Sequence, residues 1–117
     1  MNWKNFLFVF VTGIFLFASC TSPKKTAHEF SEALLKKDFE KAASLTEMVN
    51  VERVLIVETY RLFYDDITAY DIQKVSKTSD STAVAKIHIV HHTEAGDKTE
   101  DGNLNLIKKK GNWMINY

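Results

Sequence analysis

The chain has one cysteine, one proline and four glycines in 117 residues. A single cysteine excludes an internal disulfide, so the fold stands without that staple even where thiols would be oxidised. So little proline and glycine, with no repeat and no low-complexity tract, excludes a linker that divides the chain. Charge of one sign is also lacking, since 15 Lys and Arg balance 15 Asp and Glu. The balance argues against nucleic acid, which needs a basic face, and against strong electrostatic steering. Long hydrophobic runs are limited to one, Phe6 to Phe17, which is shorter than the roughly 20 apolar residues of a membrane-crossing helix.

What is present gains meaning from its order. The free amino terminus and Lys4 precede the apolar run, and small residues follow it, the order of a secretory signal peptide. The junction Phe17-Ala18-Ser19-Cys20 resembles the lipobox of bacterial lipoproteins, with Phe17 where that motif usually has Leu and Leu16 one position further out. The resemblance implies cleavage between Ser19 and Cys20, acylation of the Cys20 thiol, and attachment to a membrane through it. At about 0.8 kcal/mol per buried CH₂, one acyl chain holds marginally and two or more hold firmly. Cys20 is then an anchor and not a catalytic thiol. Surface-exported lipoproteins of some outer-membrane bacteria carry an acidic cluster after the cysteine. Here Lys24 and Lys25 stand there instead, which favours the periplasmic face of the outer membrane.

The expected organisation is a lipoprotein signal peptide over 1–19, the lipidated cysteine and a short tether over 20–25, and a small α+β domain over 26–117. Removing the signal leaves 98 residues with 14 Lys and Arg against 15 Asp and Glu. That length is one domain, burying about 60–65% of its unfolded surface, with a modest core.

Ser22-Pro23 predicts a helix start, with Ser22 capping and Pro23 at the first helical position. Ala27, Phe30, Ala33 and Leu34 form its apolar stripe. Asp38 predicts the cap of a second, short helix carrying Phe39, Ala42, Ala43 and Leu45 inward. A third helix is predicted from about Val49 to Tyr64, with Val51, Val54, Leu55, Leu62 and Phe63 as its apolar positions, ended by Asp65-Asp66. From Ile67 the period becomes two. Turn signals at 78–81, 94–97 and 110–112 divide the rest into strands at about 67–77, 82–93, 98–109 and 112–117. On the second strand Ala83, Ala85, Ile87 and Ile89 share the face expected to meet the helices, and Val84, Lys86, His88, Val90 and His92 share the other. Leu104, Leu106, Trp113, Ile115 and Tyr117 supply matching apolar rows.

Helices followed by an antiparallel meander make an α+β fold, with amino-terminal helices packed on a curved sheet of about four strands. The run from Ser22 to Leu45 and the ending Gly-Asn-Trp-Met-Ile-Asn-Tyr resemble small bacterial lipoproteins with a lumazine-binding-like domain of unknown function, a group similar to the nuclear transport factor two superfamily. The resemblance covers nearly the whole mature chain and implies a cone-shaped, cystatin-like fold. It brings no catalytic signature and no demonstrated lumazine site.

His88, His91 and His92 are the residues closest to a metal set. On a strand, positions four apart are separated by about 13 Å and His91 points to the opposite face, so the three cannot share one ion unaided. No metal and no cofactor are expected. Superfamily enzymes resemble one another in placing Asp, His and Tyr inside the cone, so Tyr64, Tyr70, Asp71 and His88 are the candidate pocket residues, although no spacing identifies a catalytic set. Asp65-Asp66 is read as helix termination and Lys108-Lys109-Lys110 as a solvated hairpin end. The expectation is a lipid-anchored, non-catalytic envelope module that binds a small molecule, a peptide or an envelope protein. The alternatives are an assembly accessory acting through self-association of the outer sheet face, as a homodimer for example, and a small cone-fold enzyme.

Overall fold

A computed structural model describes residues 22–47 and 50–116, the side chains of Asn50 and Val51 excepted. The signal sequence, Ser19, Cys20 and the third-helix start at Val49 lie outside the described residues, as do Tyr117 and the side chain of Val51. Helices α1 (Pro23–Leu35), α2 (Phe39–Ser44) and α3 (Asn50–Tyr64) precede strands β1 (Ile67–Lys77), β2 (Thr82–Thr93), β3 (Gly96–Lys109) and β4 (Asn112–Ile115). The strands pair in sequence order, each antiparallel to the next. The fold is α+β, with the helices against one face of a curved, open sheet.

The caps act as their residue types require. Ser22 accepts a hydrogen bond from the Lys25 backbone N–H at 3.1 Å, with Pro23 in the first turn. The Asp38 carboxylate accepts from the Lys41 N–H at 3.2 Å. Between α1 and α2, Lys37 has a φ of 61°, an unusual conformation for a side chain of this size. Its ammonium donates to the carbonyls of Tyr64 and Ile67, at 3.1 and 3.0 Å, and so ties this turn to the end of α3. Among the described residues the interior runs from Thr26 and Ala27 on α1 to Trp113 and Ile115 on β4 as one cluster.

The third helix departs from expectation. Its buried residues are Ile56, Val57 and Tyr60, whereas Val54, Leu55, Leu62 and Phe63 are 60–78% exposed. The helix carries two apolar stripes on nearly opposite sides, and the tyrosine-containing one, with Tyr64 packed against the core, faces inward. On the inward side Tyr60 packs edge to face with Phe30, and Tyr64 with Tyr70.

Strand alternation follows the predicted faces: Ala83, Ala85, Ile87 and Ile89 are buried beneath the helices. Both sheet edges are modified. At β4, the Ile115 N–H donates to the Leu45 carbonyl and the Glu47 N–H donates to the Ile115 carbonyl, at 2.7 and 3.0 Å. On β1, the register shifts between Ile72 and Lys74, and exposed Lys74 and Lys77 follow the irregularity. Bulges and charges of this kind discourage strand addition.

Candidate functional site

A cavity of about 180 Å³ opens where α3 meets the concave face of the sheet. Phe30 of α1, Tyr60 and Tyr64 of α3, and Tyr70 of β1 form its aromatic wall, and Ile87, Leu104 and Ile115 form its apolar floor. Asn103, Asn105 and Asn116 complete the lining. The rings pack edge to face. Phe30 lies 5.6 Å from Tyr60 at 76° and 6.1 Å from Tyr70 at 79°, while Tyr64 lies 6.2 Å from Tyr70 at 75°. These are the separations at which ring quadrupoles attract. The Ser31 hydroxyl donates to the Tyr70 carbonyl and fixes β1 against α1. Burial pushes the Tyr70 hydroxyl well above its usual range, and Tyr64, Tyr60 and Glu100 add to the shift. Tyr70 is therefore a neutral hydroxyl here and no phenolate nucleophile.

The inward series Ala83, Ala85, Ile87, Ile89 continues to His91, which lies beside the connection from α3 to β1. His91 Nδ1 lies 2.6 Å from Asp66 Oδ1, and its Nε2 lies 3.0 Å from Glu100 Oε1. Two carboxylate acceptors require two ring donors, which is the imidazolium form. The hydrogen bond that His91 donates to Asp66 accordingly raises the His91 pKa above its ordinary value against the opposing effect of burial, and the same bond lowers that of Asp66.

Of the sequence-based pocket residues, Tyr64 and Tyr70 meet at this cavity. Asp71 and His88 do not join them. They are register partners on the outer sheet face, where His88 Nδ1 lies 2.6 Å from Asp101 Oδ1. His92 pairs with Asp97 at 3.1 Å, also across the β2–β3 ladder. The three histidines thus make four contacts with four different carboxylates, and no metal-holding group of three or more such side chains occurs among the described residues. Sequence reading placed Phe30 only on the apolar stripe of α1 and His91 only in the histidine group of β2, and it did not name Tyr60. The parity of His91 with the buried alanines and isoleucines of β2 already carried its inward orientation.

Comparison with known proteins agrees with this fold. A putative NTF2-like transpeptidase from Campylobacter jejuni is 14% identical, with a TM-score of 0.60 over 83% of this chain and 99% of that one. An NTF2-like protein of unknown function from Shewanella oneidensis is 13% identical, with a TM-score of 0.59 over 78% and 88%. A ketosteroid isomerase-like protein from Erwinia carotovora atroseptica is 16% identical, with a TM-score of 0.57 over 80% and 87%. Likeness at these identities concerns the fold alone. No curated protein matches. The family described as the NTF2-like N-terminal transpeptidase domain matches residues 22–117, and the chain belongs to that family.

Proposed function

We propose that this protein is a lipid-anchored envelope module, held by acylated Cys20 on the periplasmic face of the outer membrane, that binds without catalysis. Its occupant is a small aromatic or aliphatic group, presented by a free molecule or by a side chain of an envelope partner. The tyrosine-walled cavity carries this reading. Ligand pockets commonly measure about 300–1,000 Å³, and one of about 180 Å³ suits a single ring or branched side chain and not a large cofactor. His91 has both nitrogens tied to carboxylates, an arrangement that holds a cation and leaves no free base. A family described by its place at the amino terminus of transpeptidases fits an extracytoplasmic setting. The lipoprotein and lumazine-binding-like resemblance supports the anchor and names no ligand.

The test is chemical-shift mapping of residues 21–117 with phenol and indole as probes. Shifts centred on Phe30, Tyr64 and Tyr70, removed when Leu104→Trp fills the floor, support binding; shifts elsewhere, or none, reject it. For the anchor, intact mass and membrane partition of the expressed full chain are compared with Cys20→Ala, and loss of both acylation and partition in the variant is expected.

A second reading, assembly with another copy, is favoured by the exposed Val54, Leu55, Leu62 and Phe63 of α3. The outer sheet face is a poorer candidate, since Lys86, the His88–Asp101 pair and the His92–Asp97 pair interrupt it. Sedimentation of wild type against Leu55→Glu/Leu62→Glu separates a dimer from a monomer.

A further inference from the structure

The first half of α1 and the irregular edge strand β1 enclose a groove of about 280 Å³, away from the tyrosine cavity. Its lining includes Ser22, Lys24, His28, Lys74 and Lys77, and no carboxylate. Elsewhere the domain neutralises several of its lysines: Lys36 meets Glu32 and Lys109 meets Glu47. Among the described residues, none of the ion pairs includes Lys24, Lys74 or Lys77. Lys77 has its ammonium 5.8 Å from the centre of the Trp113 ring, which leaves its hydrogen-bond donors available to another group.

The concentration of positive charge is local. The mature chain has 14 basic against 15 acidic residues, so its net charge gives no general attraction to an anionic surface. The location follows from chain length. Ser22 lines the groove, and only two peptide units separate it from Cys20, a reach of about 7 Å at full extension. An acyl group on Cys20 would hold this end of the domain within about one Debye length of the lipid headgroups, where lysine charge is least screened.

We infer that the Lys24–Lys74–Lys77 groove is a docking surface for the phosphodiester headgroup of an acidic glycerophospholipid, which fixes the orientation of the domain on the membrane that anchors it. The inference rests on the lipid-anchor reading and adds an orientation to it. Held by its groove as well as its acyl chains, the domain has a fixed tilt. The lysines also protect a free strand edge, a role that any cation would fill equally well.

The experiment uses residues 21–117, which contain the core cluster of the described residues and lack Cys20. Co-sedimentation is measured at low salt with vesicles of phosphatidylcholine, alone and with one-third phosphatidylglycerol. The expected result is binding only to the anionic vesicles. Each lysine near such a surface contributes a factor of about five, so Lys24→Gln/Lys74→Gln/Lys77→Gln should weaken binding by roughly a hundredfold. The charge-matched control Lys41→Gln/Lys86→Gln/Lys108→Gln should change it little, and thermal melts of both variants establish that they are folded. Equal losses in the two triple variants, equal binding to neutral vesicles, or no binding at all would overturn the inference. Displacement by millimolar inorganic phosphate at constant ionic strength would also overturn it, by making the groove a free-phosphate site. Because the fragment has no Cys20, failure of acylation appears only in the mass of the full chain, separately from the vesicle result.

Discussion

Phe30→Leu tests whether the cavity wall is held by ring geometry or only by apolar filling. Phe30 is 2% exposed and edge-on to both Tyr60 and Tyr70. Each such contact contributes about 0.5–1.5 kcal/mol beyond burial. Leucine forfeits both and leaves part of the ring volume empty, which adds a void penalty. The expected loss is about 2–4 kcal/mol. At about 4–8 °C per kcal/mol for a domain of this length, the thermal midpoint should fall by roughly 10–30 °C. A loss of that size is a large share of the ~5–15 kcal/mol that such domains possess. The assay is urea and thermal unfolding of residues 21–117 by circular dichroism, with Tyr60→Leu and the double variant completing a cycle. A coupling of about 0.5–1.5 kcal/mol between the two positions is expected. A loss below about 1 kcal/mol together with zero coupling would refute the reasoning, because the wall would then be an interchangeable apolar surface with no ring-specific shape.

Three further outcomes follow from particular contacts. Lys37→Met should cost about 2–3 kcal/mol by removing charge-assisted bonds to the Tyr64 and Ile67 carbonyls, and Lys37→Gly should recover about 1 kcal/mol of that through its freedom at positive φ; a glycine variant more stable than wild type would contradict the assignment. Thr26→Val removes a buried hydroxyl that donates to the Trp113 carbonyl at 3.1 Å and should cost about 1–2 kcal/mol in urea unfolding; an unchanged midpoint would show that water replaces the bond. Nuclear magnetic resonance titration should place His91 above the ordinary histidine value, and Asp66→Asn should bring it down. The raised histidine contributes stability below its ordinary value of 6.5 that is lost as pH rises through the folded value; lowered Asp66 contributes stability above its ordinary 3.8 that is lost as pH falls through its folded value. A His91 titrating at or below 6.5 would count against the double carboxylate contact.

The elements were legible where local chemistry decides them. Ser22-Pro23 and Asp38 marked helix starts through the donors they satisfy, and the period-two run of Ala83 to Ile89 assigned the inner sheet face. The face of α3 was not legible, because a helix apolar on two sides fits the 3.6 period twice, and only its neighbours decide which side is buried. Tyr60 was passed over for the same reason: a tyrosine reads as half-wet until Phe30 and Tyr70 are found beside it. Within the site, Tyr64 and Tyr70 were found, but their distance from Asp71 and His88 depends on strand parity combined with the identity of the covered face. His91 shows the converse, since its parity was read while its carboxylate partners come from the α3–β1 connection and from β3.

The bonds joining Ile115 to Leu45 and Glu47 also bear on the order in which the molecule is completed. A chain made from its amino terminus delivers α1, α2 and α3 before β1, yet the connection between α2 and α3 obtains backbone partners from β4. The helical layer is therefore unfinished until β4 arrives, and the contacts that finish it join residues about 70 positions apart, a topology that slows folding. Removing the last few residues would strip β4 from the sheet and release residues 45–47 from their anchor in the same step. Strand β4 thus closes the structure much as a stave driven in late tightens a cask, and a chain stopped short of Ile115 should be open at both layers.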